Sequence, residues 1–288
     1  MRIIPESELI INEDGSVFHL HIKPEELADK IIMMGDPERV SLTASFFDSI
    51  EIEKQSREFH TITGMYKGKR ITAISHGLGP DNIDIVLTEL DALANVDFQT
   101  REVKKNFKQL TMVRVGTSGG LQPNCPIGSY VVAAKSIGFD GVLNYYEGRD
   151  GVALLNYEDA FKKHVGWNVQ HCDPYFVPAD EELVKRVGHD MIMGMTISAI
   201  GFYGPQGRYV RMPLANPDLN SQIETFEFEG DKITNYEMES APLAGLGKLM
   251  GHKAMTVCTI IANRLAGESN ANYKGSIEDL IKTVLDRI

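Results

Sequence analysis

Cysteine is scarce: Cys125, Cys172 and Cys258 are the three in 288 residues. An odd number without metal-ligand spacing excludes a disulfide framework and a structural zinc site, so the thiols are expected to be reduced and mostly buried. None of the eight histidines falls in HExxH or another zinc pattern. Basic residues are the minority sign. With 29 Lys and Arg against 40 Asp and Glu, the net charge is −11, and such a chain repels nucleic-acid backbone and acidic membrane alike. Any anion it binds has to be taken locally, by a few arginines gathered in a pocket. No apolar run approaches the roughly 18 residues of a membrane span. The opening MRIIPESELIINEDGS puts acids where a signal peptide wants a basic start, so a cytoplasmic protein is expected. No linker and no 20–50-residue repeat is visible. Neither GxxxxGK[ST] nor GxGxxG after a strand occurs, which removes support for ordinary ATP and NAD folds.

What is present is a chain of 43% hydrophobic and 24% charged residues, close to ordinary globular usage and long enough to bury a large core without staples. Short apolar runs alternate with longer mixed segments. Strands are predicted at Ile31–Met34, Lys69–Ser75, Leu110–Val115, Ser129–Ala134, Thr196–Ile200 and Met255–Ile261. Helical spacing covers Ile83–Asn95 and Ser276–Ile288, the latter with Ser276 as N-cap. Alternating strands and helices indicate one α/β sandwich, in which ligands gather at the carboxyl ends of the strands. The unusual stretches GDPER, SHGLGPDN, RVGTSGG, FYGPQGR, NYEMES and ANR all sit at such ends.

Their chemistry is specific. Glycine lets backbone approach a ligand, and free N–H groups at a loop–helix junction attract anions. Gly35 with Arg39, and Arg114 before the Gly116–Gly120 loop with its Thr117, therefore suit phosphate. A carboxylate in Tyr236–Glu239 suits a vicinal diol, although acids there also fit the first turn of a helix. Gln206 both donates and accepts while Arg208 only donates, a pair able to read a base edge carrying carbonyls and an N–H, with Phe202 beside them to stack.

In this order GDPERV, RVGTSGG, FYGPQGRY, NYEMES and IIANR resemble the nucleoside phosphorylase family, and within it the uridine phosphorylases. The likeness runs from about Phe18 to Arg264. It implies a single-domain three-layer α/β/α sandwich with a central mixed β-sheet over residues 1–288. It also implies reversible phosphorolysis of uridine to uracil and ribose 1-phosphate, in pyrimidine salvage. By resemblance, Gly35, Arg39, Arg114 and Thr117 hold phosphate, joined by Arg57 lent from a neighbouring subunit. His19, also lent, lies near the ribose 5′-hydroxyl; Thr117, Met238 and Glu239 take the ribose. Phe202, Gln206 and Arg208 hold the uracil, Ile260 and Ile261 wall it, and Arg264 assists at its edge. Arg114, Glu239 and Arg208 carry the catalysis. The partners are uridine and phosphate, and the smallest active unit is a homodimer, alone or within a trimer of dimers. No organic cofactor and no structural metal is implied. Some relatives bind a monovalent cation between subunits through a glutamate beside the lent arginine; Glu58 holds that position, but Asn82 replaces the usual hydroxyl, and the cation is left open.

Other departures are the long, charged Asn95–Lys108 segment, the residue order of Gly204–Gly207, and His76 and Asp81 in SHGLGPDN. His60 and His76 receive no role. Three alternatives remain: a nucleosidase, which has no use for three arginines around a phosphate; a purine nucleoside phosphorylase, opposed by Gln206, Arg208 and the lack of an acid in Ile260–Arg264; and a non-catalytic nucleoside binder, opposed by Glu239 and the phosphate set.

Overall fold

The structure, a computed structural model, describes residues 2–168, 170–264, 266–270 and 272–288. The first strand explains the architecture. In β1 (Lys30–Met34) Ile31 and Met33 join one buried cluster, while Ile32 and Met34 join another. Side chains alternate across a strand, so a run of four apolar residues requires cover on both faces.

The chain supplies that cover in sequence. Helix α1 (Pro37–Ala44) follows directly, then the strands β2 (Ser49–Ser56), β3 (Phe59–Tyr66) and β4 (Lys69–Ser75) and helix α2 (Pro80–Asn95). The short pair β5 (Val96–Asp97) and β6 (Glu102–Val103) precedes β7 (Thr111–Gly120) and β8 (Tyr130–Gly138). Next come α3 (Arg149–Val152), α4 (Leu155–Val165), β9 (Tyr175–Pro178), α5 (Glu181–Val187) and β10 (Ile192–Ser198). The last third holds α6 (Leu219–Thr225), β11 (Glu227–Phe228), β12 (Asp231–Glu237), α7 (Ser240–Leu249), β13 (Lys253–Asn263), β14 (Glu268–Ser269) and α8 (Lys274–Arg287). Helices α2 and α7 pack on the Ile31 face; α1, α5 and α8 pack on the Ile32 face. Ile83, Val86, Leu87 and Leu90 of α2 are all buried, each contributing about 1.5–3 kcal/mol of apolar transfer. The result is a three-layer sandwich around a mixed sheet.

The sheet runs β11-β12-β10-β8-β13-β7-β1-β4-β3-β2, and β12 also pairs with β7. Strands β7, β13, β8, β10 and β12 therefore close on themselves. The contact that closes this ring is antiparallel, Tyr236 opposite Gly119 and Asn235 opposite Gly120. A third core of β9, β10 and β12 residues with Phe161 of α4 and Ile223 of α6 lies beyond it.

Several predicted boundaries move. Lys69–Ser75 is a strand as written, but β7 continues through Gly120 instead of ending at Val115. The GTSGG stretch is not a loop: Gly116, Thr117 and Ser118 pair with Cys258, Thr259 and Ile260 of β13. Glycine serves close packing there, since a Cβ on Gly116 would lie 2.6 Å from Arg114 Nη1 and one on Gly120 would lie 2.8 Å from the Cys125 carbonyl. Strand β8 runs on to Gly138, and β10 starts earlier and stops at Ser198. Ser276 is not the N-cap of α8; Tyr273 is, and the Ser276 hydroxyl donates to the Tyr273 carbonyl at 2.9 Å. The Asn95–Lys108 segment forms the β5–β6 hairpin, from which Arg101 donates to the carbonyls of Ile4, Pro5 and Leu9. It thus ties down the N-terminal segment. Among the described residues no helix is long and apolar enough to cross a membrane.

Candidate active site

Strand exits converge on a cavity of about 660 Å³. From β1 come Gly35 and Asp36, and from the first turn of α1 comes Arg39. Asp36 caps α1 by accepting the Glu38 N–H at 2.9 Å, which holds the turn that carries Arg39. A Cβ on Gly35 would stand 3.0 Å from the Gly77 carbonyl, so this exit is pressed against the β4–α2 connection. Arg39 donates to the Tyr273 hydroxyl at 3.3 Å and lies over that ring.

Arg114 and Thr117 line the cavity from β7. Arg114 is 4% exposed. Its Nη1 meets Glu237 Oε2 at 2.9 Å, Nη2 meets Glu239 Oε2, and Nε donates to His76 Nε2 at 3.2 Å. Burial alone would lower its pKa, but Glu239 and Glu237 outweigh it and the net direction is upward. Burial raises the Glu239 carboxyl against the opposing pull of Arg114. For His76, burial comes first and the charge of Arg114 second; both hold the imidazole neutral, so its Nε2 accepts from the guanidinium. Sequence reasoning assigned His76 no role, and only its place in the unusual SHGLGPDN marked it.

The YEMES stretch is a strand exit, not a first helical turn. Glu237 ends β12, and its carboxylate accepts the N–H groups of Glu239 at 2.8 Å and of Ser240 at 2.9 and 3.0 Å, ahead of α7. That carboxylate both satisfies the helix's orphan donors and steadies Arg114. Glu239 Oε1 accepts the Gly79 N–H at 2.8 Å, which ties it to the start of α2. Met238 lines the same cavity. One carboxylate in EME thus supports the arginine, a division of labour that sequence alone left unassigned.

The third wall is the connection after β10. Gln206 is 2% exposed. Its Oε1 accepts from Arg208 Nη1, which also donates to the Phe202 carbonyl. The Arg208 guanidinium lies 3.7 Å from the centre of the Phe202 ring. Burial, helped by the nearby Arg264, brings the Arg208 pKa down to about 10. Arg264 is not in the lining: it donates to the Gln206 main-chain carbonyl and lies over Tyr236, bracing the loop from behind.

Three further expected residues fall elsewhere. Ile261 lines the cavity, but Ile260 packs on the opposite side of β13 with Cys125 and Val131. Ile260 pairs with Ser118 and Ala262 with Gly119, so Ile261 is the extra residue of a bulge in β13, and of the two it is the one that reaches the cavity. His19 and Arg57 are also absent from the lining. They sit together instead, Arg57 5.8 Å over the Phe18 ring and Phe18 edge-on to His19 at 4.8 Å. Glu58, exposed beside Arg57, and Asn82 both crowd Gly77: a Cβ there would lie 2.9 Å from Glu58 Cγ and 2.6 Å from Asn82 Nδ2. Ser269, Asn270 and Tyr273 line the cavity although no motif pointed to them. His60 bonds Glu53 at 2.9 Å from β3 to β2. A second cavity of about 700 Å³ lies behind the Tyr203–Arg208 loop, apolar and without a carboxylate in its lining.

The family profile of the Phosphorylase superfamily matches residues 29–287. A uridine phosphorylase of Thermococcus kodakarensis is 29% identical over 262 residues, covering 89% of this chain and 80% of that protein. A DeoD-type purine nucleoside phosphorylase of Vibrio vulnificus is 25% identical over 275 residues, covering 94% and 96%. Among solved structures, a Trypanosoma brucei nucleoside phosphorylase described as showing uridine phosphorylase activity superposes with a TM-score of 0.87 at 27% identity, covering 97% of this chain and 98% of that one. With nine-tenths of its length inside the profile and every cavity wall within that span, the chain belongs to the phosphorylase superfamily.

Proposed function

We propose that this protein is a uridine phosphorylase, converting uridine and phosphate to uracil and ribose 1-phosphate and back. One observation carries the reading: the buried Arg114 cluster and the Gln206–Arg208 pair line the same cavity. Guanidinium groups and strand-exit amides suit a phosphate dianion. The amide–guanidinium pair suits an edge bearing two carbonyls around one N–H.

The chemistry is a displacement at the anomeric carbon. Phosphate is held by Gly35, Arg39, Arg114 and Thr117 beneath that carbon. Glu239 accepts hydrogen bonds from the ribose hydroxyls, beside Met238. As the glycosidic bond breaks, negative charge grows on the uracil, and Arg208, still cationic at neutral pH, is placed to stabilise it while Gln206 fixes the ring. Positioning and preorganised charge supply the acceleration, with phosphate itself as nucleophile and no organic cofactor.

His19 and Arg57 belong to the site of a neighbouring subunit. Their absence from the lining of their own chain's cavity and their grouping around Phe18 support that reading. The working unit is then at least a dimer, in a cytoplasmic salvage role. The direct test follows ultraviolet absorbance with uridine in the presence and absence of phosphate. Phosphate-dependent release of uracil is expected; equal release without phosphate would make the protein a nucleosidase, and no release would make it a binder. Inosine cleaved in preference to uridine would place it with the purine enzymes.

A further inference from the structure

Glu89 lies ten residues into α2, buried, and no part of the cavity lining. Its carboxylate gathers three donors from one short stretch of the N-terminal segment. The His19 N–H lies 3.0 and 3.1 Å from its two oxygens, the Leu20 N–H donates at 2.9 Å, and His19 Nδ1 lies 2.6 Å from Oε1. One side chain thereby fixes both the bend of the segment and the orientation of the His19 ring. A carboxylate can only accept, so Nδ1 carries the proton and Nε2 is the nitrogen left for another partner. Phe18 and Phe59 pack edge-on to the ring at 4.8 and 6.2 Å and limit its swing.

We propose that Glu89 is a positioning residue for the reaction, acting through His19 Nδ1 to present Nε2 to the ribose 5′-hydroxyl in the neighbouring subunit's site. The proposal rests on the reading that His19 is lent to that site. Glu89 itself touches no substrate. Its effect is confined to the one hydroxyl that His19 meets, whereas a purely structural role would affect every substrate alike.

The experiment compares kcat/KM for uridine and for 5′-deoxyuridine, which lacks the 5′-hydroxyl, in the wild type, Glu89→Gln, His19→Ala and the double variant. Gln keeps an oxygen for the main-chain donors but offers an N–H to Nδ1, which reverses the tautomer. Glu89→Gln is expected to lower kcat/KM for uridine about tenfold, the worth of one well-placed hydrogen bond. It should leave 5′-deoxyuridine within about twofold and add nothing in the His19→Ala background. Equal losses on both substrates in a folded variant, or no loss on uridine, would overturn the proposal. If His19→Ala itself lowers both substrates equally, the lent-histidine reading fails and the role of Glu89 fails with it, while phosphate-dependent uridine cleavage by the wild type stands. If Glu89→Gln does not fold, Glu89→Asp retains the carboxylate with a shorter reach. It should show a smaller loss confined to uridine, and an equal loss on both substrates would again overturn the proposal.

Discussion

Arg114 and Glu239 form a direct guanidinium–carboxylate contact, although one is proposed for phosphate and the other for ribose. Both are buried, and each is held by further partners: Arg114 by Glu237 and His76, Glu239 by the Gly79 N–H. The two halves of the site therefore share a charge pair at their border, and a change in either is felt by the other.

Removing the arginine should show this. Arg114→Ala leaves Glu237 and Glu239 buried without their counter-charge. Breaking such a pair costs about 3–5 kcal/mol, to be measured by denaturant unfolding. Arg114→Lys keeps the charge but not the fork. It should unfold closer to the wild type while still raising the phosphate KM at least about tenfold, one lost charge-assisted contact. Unchanged phosphate saturation in a folded Lys variant would remove Arg114 from the phosphate site.

Gln206→Ala should separate activity from stability. Asn220 and Arg264 hold the Gln206 main-chain carbonyl, which the variant retains. The loop is thus expected to stay in place while the base edge loses its partner. A drop in uridine kcat/KM of about 10–100-fold, or about 1.5–3 kcal/mol, should accompany a nearly unchanged melting temperature in calorimetry. Full activity toward uridine would mean that the base is read elsewhere.

Asp140 gives a pH signature. Its carboxyl is pushed up to about 6 by burial, against the lowering effect of the Val142 N–H and the Tyr175 hydroxyl. The native state then holds a proton that the unfolded chain has released above about pH 4. Stability is greatest below that value and falls as pH rises toward 6, by about 2–3 kcal/mol from this group. Urea midpoints between pH 4 and 7 should decline less steeply in Asp140→Asn. Identical slopes for the two proteins would refute the assignment.

Subunit mixing tests the lent residues. Arg57→Ala and Glu239→Ala chains are each expected to be inactive. In a mixed dimer one site carries both lesions and the other neither. Random exchange makes about half the dimers mixed, so recovery approaching about one quarter of wild-type activity is the ceiling. If mass measurement confirms exchange and no activity returns, Arg57 serves its own chain.

The legible parts of the fold were those where burial follows a simple period. Lys69–Ser75 alternates and is bounded, and Ile83–Asn95 repeats every three to four residues; both are elements as written, α2 starting slightly earlier. GTSGG misled because glycine signals turns in sequence, while here it permits strands to close tightly around Arg114. In the site, charged and amide residues beside glycine were legible because their chemistry is rare in turns. Ile260 and Ile261 could not be told apart without the bulge in β13, which leaves Ile261 out of the pairing with β7. Glu237, His76 and Tyr273 depend on contacts between segments 38 to 234 residues apart, for which a single sequence has no signal.

The ring that β12 closes against β7 has a consequence for how such an enzyme diversifies. Arg114, Thr117, Glu237 and the glycines that pack around them stand on strands whose edges are taken up by neighbours, so a change there strains several partners at once. Gln206 and Arg208 stand on a connection that enters none of those strands. With Gln206 and Arg208 proposed to read the base and Arg114 and Thr117 proposed to hold the phosphate, base preference can be altered in one peripheral segment without disturbing the closed ring.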